Sequence, residues 1–141
     1  LSRCFMKKIL KSLCNSDNIK MCNSNKYMTQ NKNSLKKLEQ RRKSEDIPIQ
    51  YTATYDILFR IIDLELNRYG YTLNKSPHFV FKKLYPIFFP SINKVNINID
   101  EIVQIRHKVK KNKYIPTANE YGVLYSLYEN TIENWSDNGR S

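Results

Sequence analysis

Five cationic side chains fall within eight positions of "IRHKVKKNKYIPTANEY", residues 105–121: Arg106, Lys108, Lys110, Lys111 and Lys113. His107 sits beside the first of them. Guanidinium and ammonium groups are phosphate ligands by chemistry, and a His next to an Arg adds a group able to move a proton near neutral pH. Cations also suit the last turn of a helix, where the macrodipole favours each by about 0.3–1 kcal/mol. Five exceed what the dipole needs, and like charges on neighbouring turns repel by roughly 0.2–0.5 kcal/mol per pair. The stretch therefore reads as a nucleic-acid-binding surface. Tyr114, directly after it, is the Tyr best placed to stack on a base.

The whole chain favours such a partner. Its 141 residues hold 24 Lys/Arg against 13 Asp/Glu, a formal charge of +11. A surface this positive attracts polyanions such as nucleic acid or an anionic membrane face. The excess is uneven: residues 1–50 carry 12 Lys/Arg and 4 Asp/Glu, and residues 51–141 carry 12 and 9. No run approaches the ~20 apolar residues of a membrane span. Cys4, Cys14 and Cys22 form neither an even disulfide set nor a CxxC pair, which fits reduced thiols in an intracellular protein. The opening "LSRCFMKKILKSLC" is basic, acid-free and amphipathic, features shared with organelle transit peptides. The missing initial Met fits a fragment or a processed product. Abundant Lys, Asn, Ile and Tyr with sparse Ala and Gly fit a gene from an AT-rich genome.

The elements that position these residues read as helices. Only 3 Gly and 5 Pro are present, too few for the frequent tight turns of an all-β sandwich. The expected class is all-α: a small bundle of about four core helices over residues 50–136. A basic, loosely ordered arm over 1–49 precedes it, and 137–141 form a tail. Within the arm, Phe5, Met6, Ile9, Leu10 and Leu13 share one helical face, which makes residues 4–14 a candidate contact for a protein partner or membrane surface. "NSDNIKMCNSNKYMTQNKNS" reads as linker, and "SLKKLEQRRK" as a short helix over 34–43, with the chain interrupted at Pro48. "TATYDILFRIIDLELNRYG" reads as a long helix capped by Thr52 or Thr54 and closed by Gly70. Ser76 and Pro77 open the next helix, Pro86 breaks it, and Phe88 and Phe89 plug the core. Asn98 or Asp100 caps a third helix that turns Ile102, Ile105 and Val109 inward. Thr117 and Glu120 stand at capping-box spacing before the last, whose inner stripe is Tyr121, Leu124, Leu127, Tyr128, Ile132 and Trp135.

Other chemistry is thin. His78, in the first turn of its helix, reads as a surface or boundary residue. Asp63 and Glu65 lie two apart and point away from each other on a helix. No Gly-rich phosphate loop, nucleophile elbow or metal-ligand spacing is present, so neither cofactor nor metal is expected.

The order of elements around 105–121, an inward-facing helix "IRHKVKKNKY" and then a capped helix from "IPTANEY", resembles the HEPN (higher eukaryotes and prokaryotes nucleotide-binding) superfamily of small helical bundles. That family's signature opens with Arg and a polar residue, passes a mostly apolar interval and closes with His near a helix end. Arg106 matches the Arg, His107 the polar follower and Val109 an apolar position of the interval. The closing His has no match: Lys111 occupies its place, with Asn112 and Lys113 as neighbours. The resemblance covers residues 52–136 at most. It implies RNA chemistry in which the Arg stabilises phosphate charge and the His moves a proton at the ribose 2′-hydroxyl. A Lys, with an ordinary pKa of about 10.4, stays charged and holds phosphate without accepting a proton.

The leading expectation is therefore a catalytically degenerate, HEPN-like module that binds RNA or other nucleic acid non-specifically. Arg106, Lys108, Lys110, Lys111 and Lys113 would contact phosphates, with Tyr114 beside them. One rival is a metal-independent ribonuclease using Arg106 and His107. Another is an interaction subunit of a ribonucleoprotein or viral assembly, docking through residues 4–14. A homodimer through helical faces is compatible with all three.

Overall fold

A helix that is apolar around most of its circumference has to be surrounded, and Ile47–Arg68 meets that condition, with 13 of its 22 residues buried. It is the axis of an all-α domain in the computed structural model, which describes residues 3–137. In chain order the helices are α1 (Arg3–Asn15), α2 (Ser24–Arg42), α3 (Ile47–Arg68), α4 (Pro77–Phe88), α5 (Ile99–Asn112) and α6 (Ala118–Asp137). A short 3-10 turn covers Pro90–Lys94. One antiparallel ribbon, β1 (Ile19–Met21) with β2 (Tyr71–Leu73), pairs Ile19 with Leu73 and Met21 with Tyr71. Helices α2, α4, α5 and α6 all pack on α3, and α2 does so along the greatest length.

Local chemistry explains most boundaries. Asn98 caps α5 by accepting from the Glu101 amide at 3.3 Å, and Ile102, Ile105 and Val109 are buried beneath it. Thr117 and Glu120 form the reciprocal capping box ahead of α6: each side-chain oxygen accepts the other's amide, at 3.1 and 2.9 Å. Gly70 follows α3 with φ +86°, the left-handed conformation that closes the helix there.

Three starts and stops differ from expectation. The cap of α3 is Asp46, which accepts from the Ile49 amide at 3.1 Å, and Pro48 lies in the first turn. Pro48 thus begins a helix and does not interrupt the chain, since a first-turn residue has no intrahelical N–H bond to lose. Thr52 and Thr54 sit inside the helix with their hydroxyls donating to carbonyls one turn back. Ser76 adopts a left-handed conformation before α4 and makes no side-chain cap bond. Pro86 lies within α4, which continues to Phe88 and closes with the Phe89 amide on the Tyr85 carbonyl at 2.8 Å.

The largest difference is the N-terminal third. Expected as a loosely ordered arm with short helices, it is packed: Met6, Leu10, Leu13 and Ile19 belong to the same core as α3. Helix α3 also runs across the expected boundary at 49/50. The reason is that α2 docks on α3 through a buried polar network and lacks a full apolar stripe. Asn31 (2 % exposed) donates to Asp63 and to Asn67, each at 2.8 Å. Asp63 (4 % exposed) also accepts from the Thr72 hydroxyl and the Leu73 amide, both at 2.9 Å. Asn67 donates to the Tyr71 carbonyl at 2.8 Å. The network joins α2, α3 and β2. The inner face of α1 is likewise covered by the protein's own core, leaving the cationic face of residues 4–14 outward with Phe5 half-exposed. No helix among the described residues is long and apolar enough to cross a membrane.

Replacing Asp63 by Ala strands several buried donors at once, and each orphaned group costs on the order of 1–3 kcal/mol. Urea unfolding is expected to show a loss of about 3 kcal/mol; a loss below about 1 kcal/mol would contradict the role given to this carboxylate.

Candidate functional site

Docking α2 on α3 has a consequence on the adjacent face. Ser34, Lys37, Leu38 and Arg41, spaced three, four and seven apart, line one face of α2. Asp56, Phe59 and Arg60 do the same on α3. His78 from the first turn of α4 and Arg106 from the middle of α5 complete a cleft of about 360 Å³. Lys37, Arg41, Arg60 and Arg106 line it, against the single carboxylate of Asp56.

Each cation is held differently. Arg106 donates from Nε to Asp56 Oδ1 at 3.1 Å, and its guanidinium lies 5.2 Å from the centre of the Tyr55 ring. It also donates from Nη1 toward His78 Nε2 at 3.4 Å. Arg60 donates to Asn31 Oδ1 at 3.2 Å, so a neutral amide anchors it, and it makes no ion pair within 4.0 Å among the described residues. Lys37 and Arg41 are exposed, and neither has an ion-pair partner among the described residues.

His78 is fixed at both ring nitrogens. A guanidinium has no acceptor, so Nε2 takes the Arg106 proton as a bare lone pair. The neutral ring then carries its hydrogen on Nδ1 and donates to the Tyr55 hydroxyl, 2.9 Å away. Phe59 packs against the same ring with centroids 5.0 Å apart. Burial, followed by the Arg106 charge and then His107, pushes the His78 pKa below its ordinary value; Asp56 opposes the shift. The Tyr55 hydroxyl is pushed up by burial and stays protonated.

A neighbouring hollow of about 310 Å³ is lined by His78, Val103, Gln104, Arg106, His107 and Lys108. The structure thus brings Arg106 and His107 together with His78, and places Lys108 at the same hollow. Lys110, Lys111 and Lys113 are exposed at the end of α5, where Lys113 takes a left-handed cap conformation with φ 53°. They line neither hollow. Tyr114 has its hydroxyl on Glu120 at 2.7 Å and the Lys108 ammonium 5.6 Å from its ring centre. The hydrogen bond from Thr117, with that of Tyr114, holds the Glu120 carboxyl below its usual range.

His78, Lys37, Arg41, Arg60, Asp56 and Phe59 were not singled out from sequence as site residues. The 34/37/38/41 and 56/59/60 spacings mark two helix faces, but nothing in the chain says that those faces meet. Among the described residues no three His, Cys, Asp or Glu side chains converge as a metal site. Comparison with protein-family models, curated proteins and solved structures finds no match for the chain.

The lowered His78 pKa has a definite sign. The unfolded chain takes up this proton near pH 6.5 and the folded protein at a lower pH, so His78 subtracts stability as pH falls below about 6.5 and nothing well above it. NMR titration of the two histidines is expected to place His78 below 6.5, and Arg106→Gln to move it upward. A His78 that titrates at or above 6.5 in the unsubstituted protein would contradict the geometry.

Proposed function

We propose that the protein binds nucleic acid, RNA foremost, by gripping the phosphate backbone in the cleft between α2, α3, α4 and α5. The observation that carries this reading is the convergence of Lys37, Arg41, Arg60 and Arg106 on one hollow that holds a single carboxylate. Guanidinium groups suit phosphate oxygens in planar, paired contacts, and two of the four are anchored by Asp56 and Asn31 before any ligand arrives. A formal charge of +11 draws a polyanion to that surface from a distance. The exposed Lys110, Lys111 and Lys113 add phosphate contacts along the flank of the cleft. Such contacts position a backbone and carry no base sequence, so binding is non-specific. The HEPN-like assignment belongs to the same proposal: Arg106 and His107 take the phosphate side, and Lys111 in place of the closing His favours holding over cutting.

A second reading, metal-independent RNA cleavage, is favoured by one observation: His78 and His107 flank Arg106 in the same hollow. Of the two imidazoles, His107 is exposed beside the cation and able to move a proton, whereas both nitrogens of His78 are engaged.

Binding of labelled single-stranded RNA at two salt concentrations tests the proposal. Replacing Lys37 and Arg41 by Ala is expected to weaken binding by about tenfold or more and to reduce the salt slope by about two. Replacing Lys110 and Lys111 is expected to cost less. Unchanged affinity after Lys37→Ala/Arg41→Ala, or equal competition by polyglutamate, would overturn it. The same samples, kept in chelator and run on a gel, read out cleavage: products that vanish in His107→Ala favour the second reading, and intact RNA throughout removes it.

A further inference from the structure

The basic cleft has neighbours on two sides, and each boundary is an arginine. Phe59 and Arg60 line both the central cleft and another hollow of about 310 Å³ over the ribbon, which also receives Lys20, Tyr27 and Thr72, with the Asp63 carboxylate at its floor already taken up by Asn31, Thr72 and the Leu73 amide. His78 and Arg106 line both the central cleft and the hollow of His107 and Lys108. Three adjoining hollows therefore alternate with two cationic bridges, and a further Lys lines each outer hollow. A polynucleotide strand has the complementary alternation, a charged phosphodiester followed by a nucleoside. Each hollow, at about 310–360 Å³, has the volume for one group of about nucleoside size.

The walls fit unpaired bases. Half-buried Tyr27 lines the ribbon hollow, and half-buried Phe59, backed by Tyr55, Phe81 and His78, closes the boundary between it and the central cleft. Such ring surfaces stack on bases that are free of a helix, at about 1–3 kcal/mol per base. In a duplex the same faces are already stacked and out of reach.

We propose that these hollows form one groove for a single strand of nucleic acid, with phosphates at Arg60 and Arg106 and successive nucleosides between and beyond them. The inference rests on the nucleic-acid reading and adds to it the strandedness of the ligand and a minimum length.

Anisotropy titrations of the full chain with uridine oligomers of increasing length test it. Affinity is expected to climb with each nucleotide up to about three or four, then to level off. A hairpin duplex of equal charge should bind about tenfold more weakly than the unpaired oligomer. Tyr27→Ala and Lys20→Ala should weaken the longer oligomers more than the dinucleotide, which has the central and His107 hollows to occupy instead, with circular dichroism confirming a folded chain. Duplex binding as tight as single-strand binding would overturn the groove, as would a dinucleotide as tight as an octamer. If Lys37→Ala/Arg41→Ala still abolished RNA binding in that case, the phosphate cleft would stand without the groove. Absence of binding to any RNA would sink both.

Discussion

The placement of Lys37 and Arg41 beside Arg60 in the cleft depends on one buried carboxylate. Asp63 is the one buried acidic side chain among the described residues, and it has no cation bonded directly to it. Dipoles from Asn31, Thr72 and the Leu73 amide satisfy it instead. A buried charge held only by neutral donors tolerates little displacement, because each lost bond exposes the desolvation cost of the ion. Helix α2 is thereby fixed in register on α3. That register presents Lys37 and Arg41 beside Arg60, and Asn31 links the two regions directly, since its amide serves Asp63 on one side and Arg60 on the other. At its far end α2 is tied to α6 as well: the Tyr128 hydroxyl donates to Glu39 at 2.7 Å, and the Arg42 guanidinium lies 4.5 Å from the Tyr128 ring centre.

The cleft keeps most of its positive potential because its supports neutralise little. Asp56 balances one charge. Asn31 orients Arg60 and balances none, while His78 stays neutral through burial and the field of Arg106. Four like charges in one hollow repel one another, and the packed helices, with one ion pair at Arg106, hold them there. On the proposed reading, a phosphate arriving in the cleft relieves that repulsion. The α5 tail is solvated, as Lys37 and Arg41 are, and its ammonium groups repel across a high dielectric at small cost.

The helical class and most individual helices were legible in the sequence, because they rest on apolar periodicity and local caps. Ile102, Ile105 and Val109, the Asn98 cap, the Thr117–Glu120 box and Gly70 are short-range signals of that kind. In the N-terminal third the helices over 4–14 and 34–43 were legible, and their docking on the rest was not, for a specific reason. Asn31 reads as a linker residue when its partners lie 32 and 36 positions away, and no periodicity reveals a helix docked through amides. The ribbon of β1 and β2 is three residues a side, too short to show alternation. Of the site, Arg106 and His107 were visible as a dense charge run. His78 was not, since its place between Tyr55 and Arg106 depends on three helices meeting.

Chemical-shift mapping of the isotopically labelled protein with a short unpaired RNA addresses the central claim, that the cleft and not the helix tail is the primary contact. Perturbations led by Lys37, Arg41, Arg60, His78 and Arg106 are the predicted result. Shifts confined to residues 110–113, with the cleft residues silent, would contradict it.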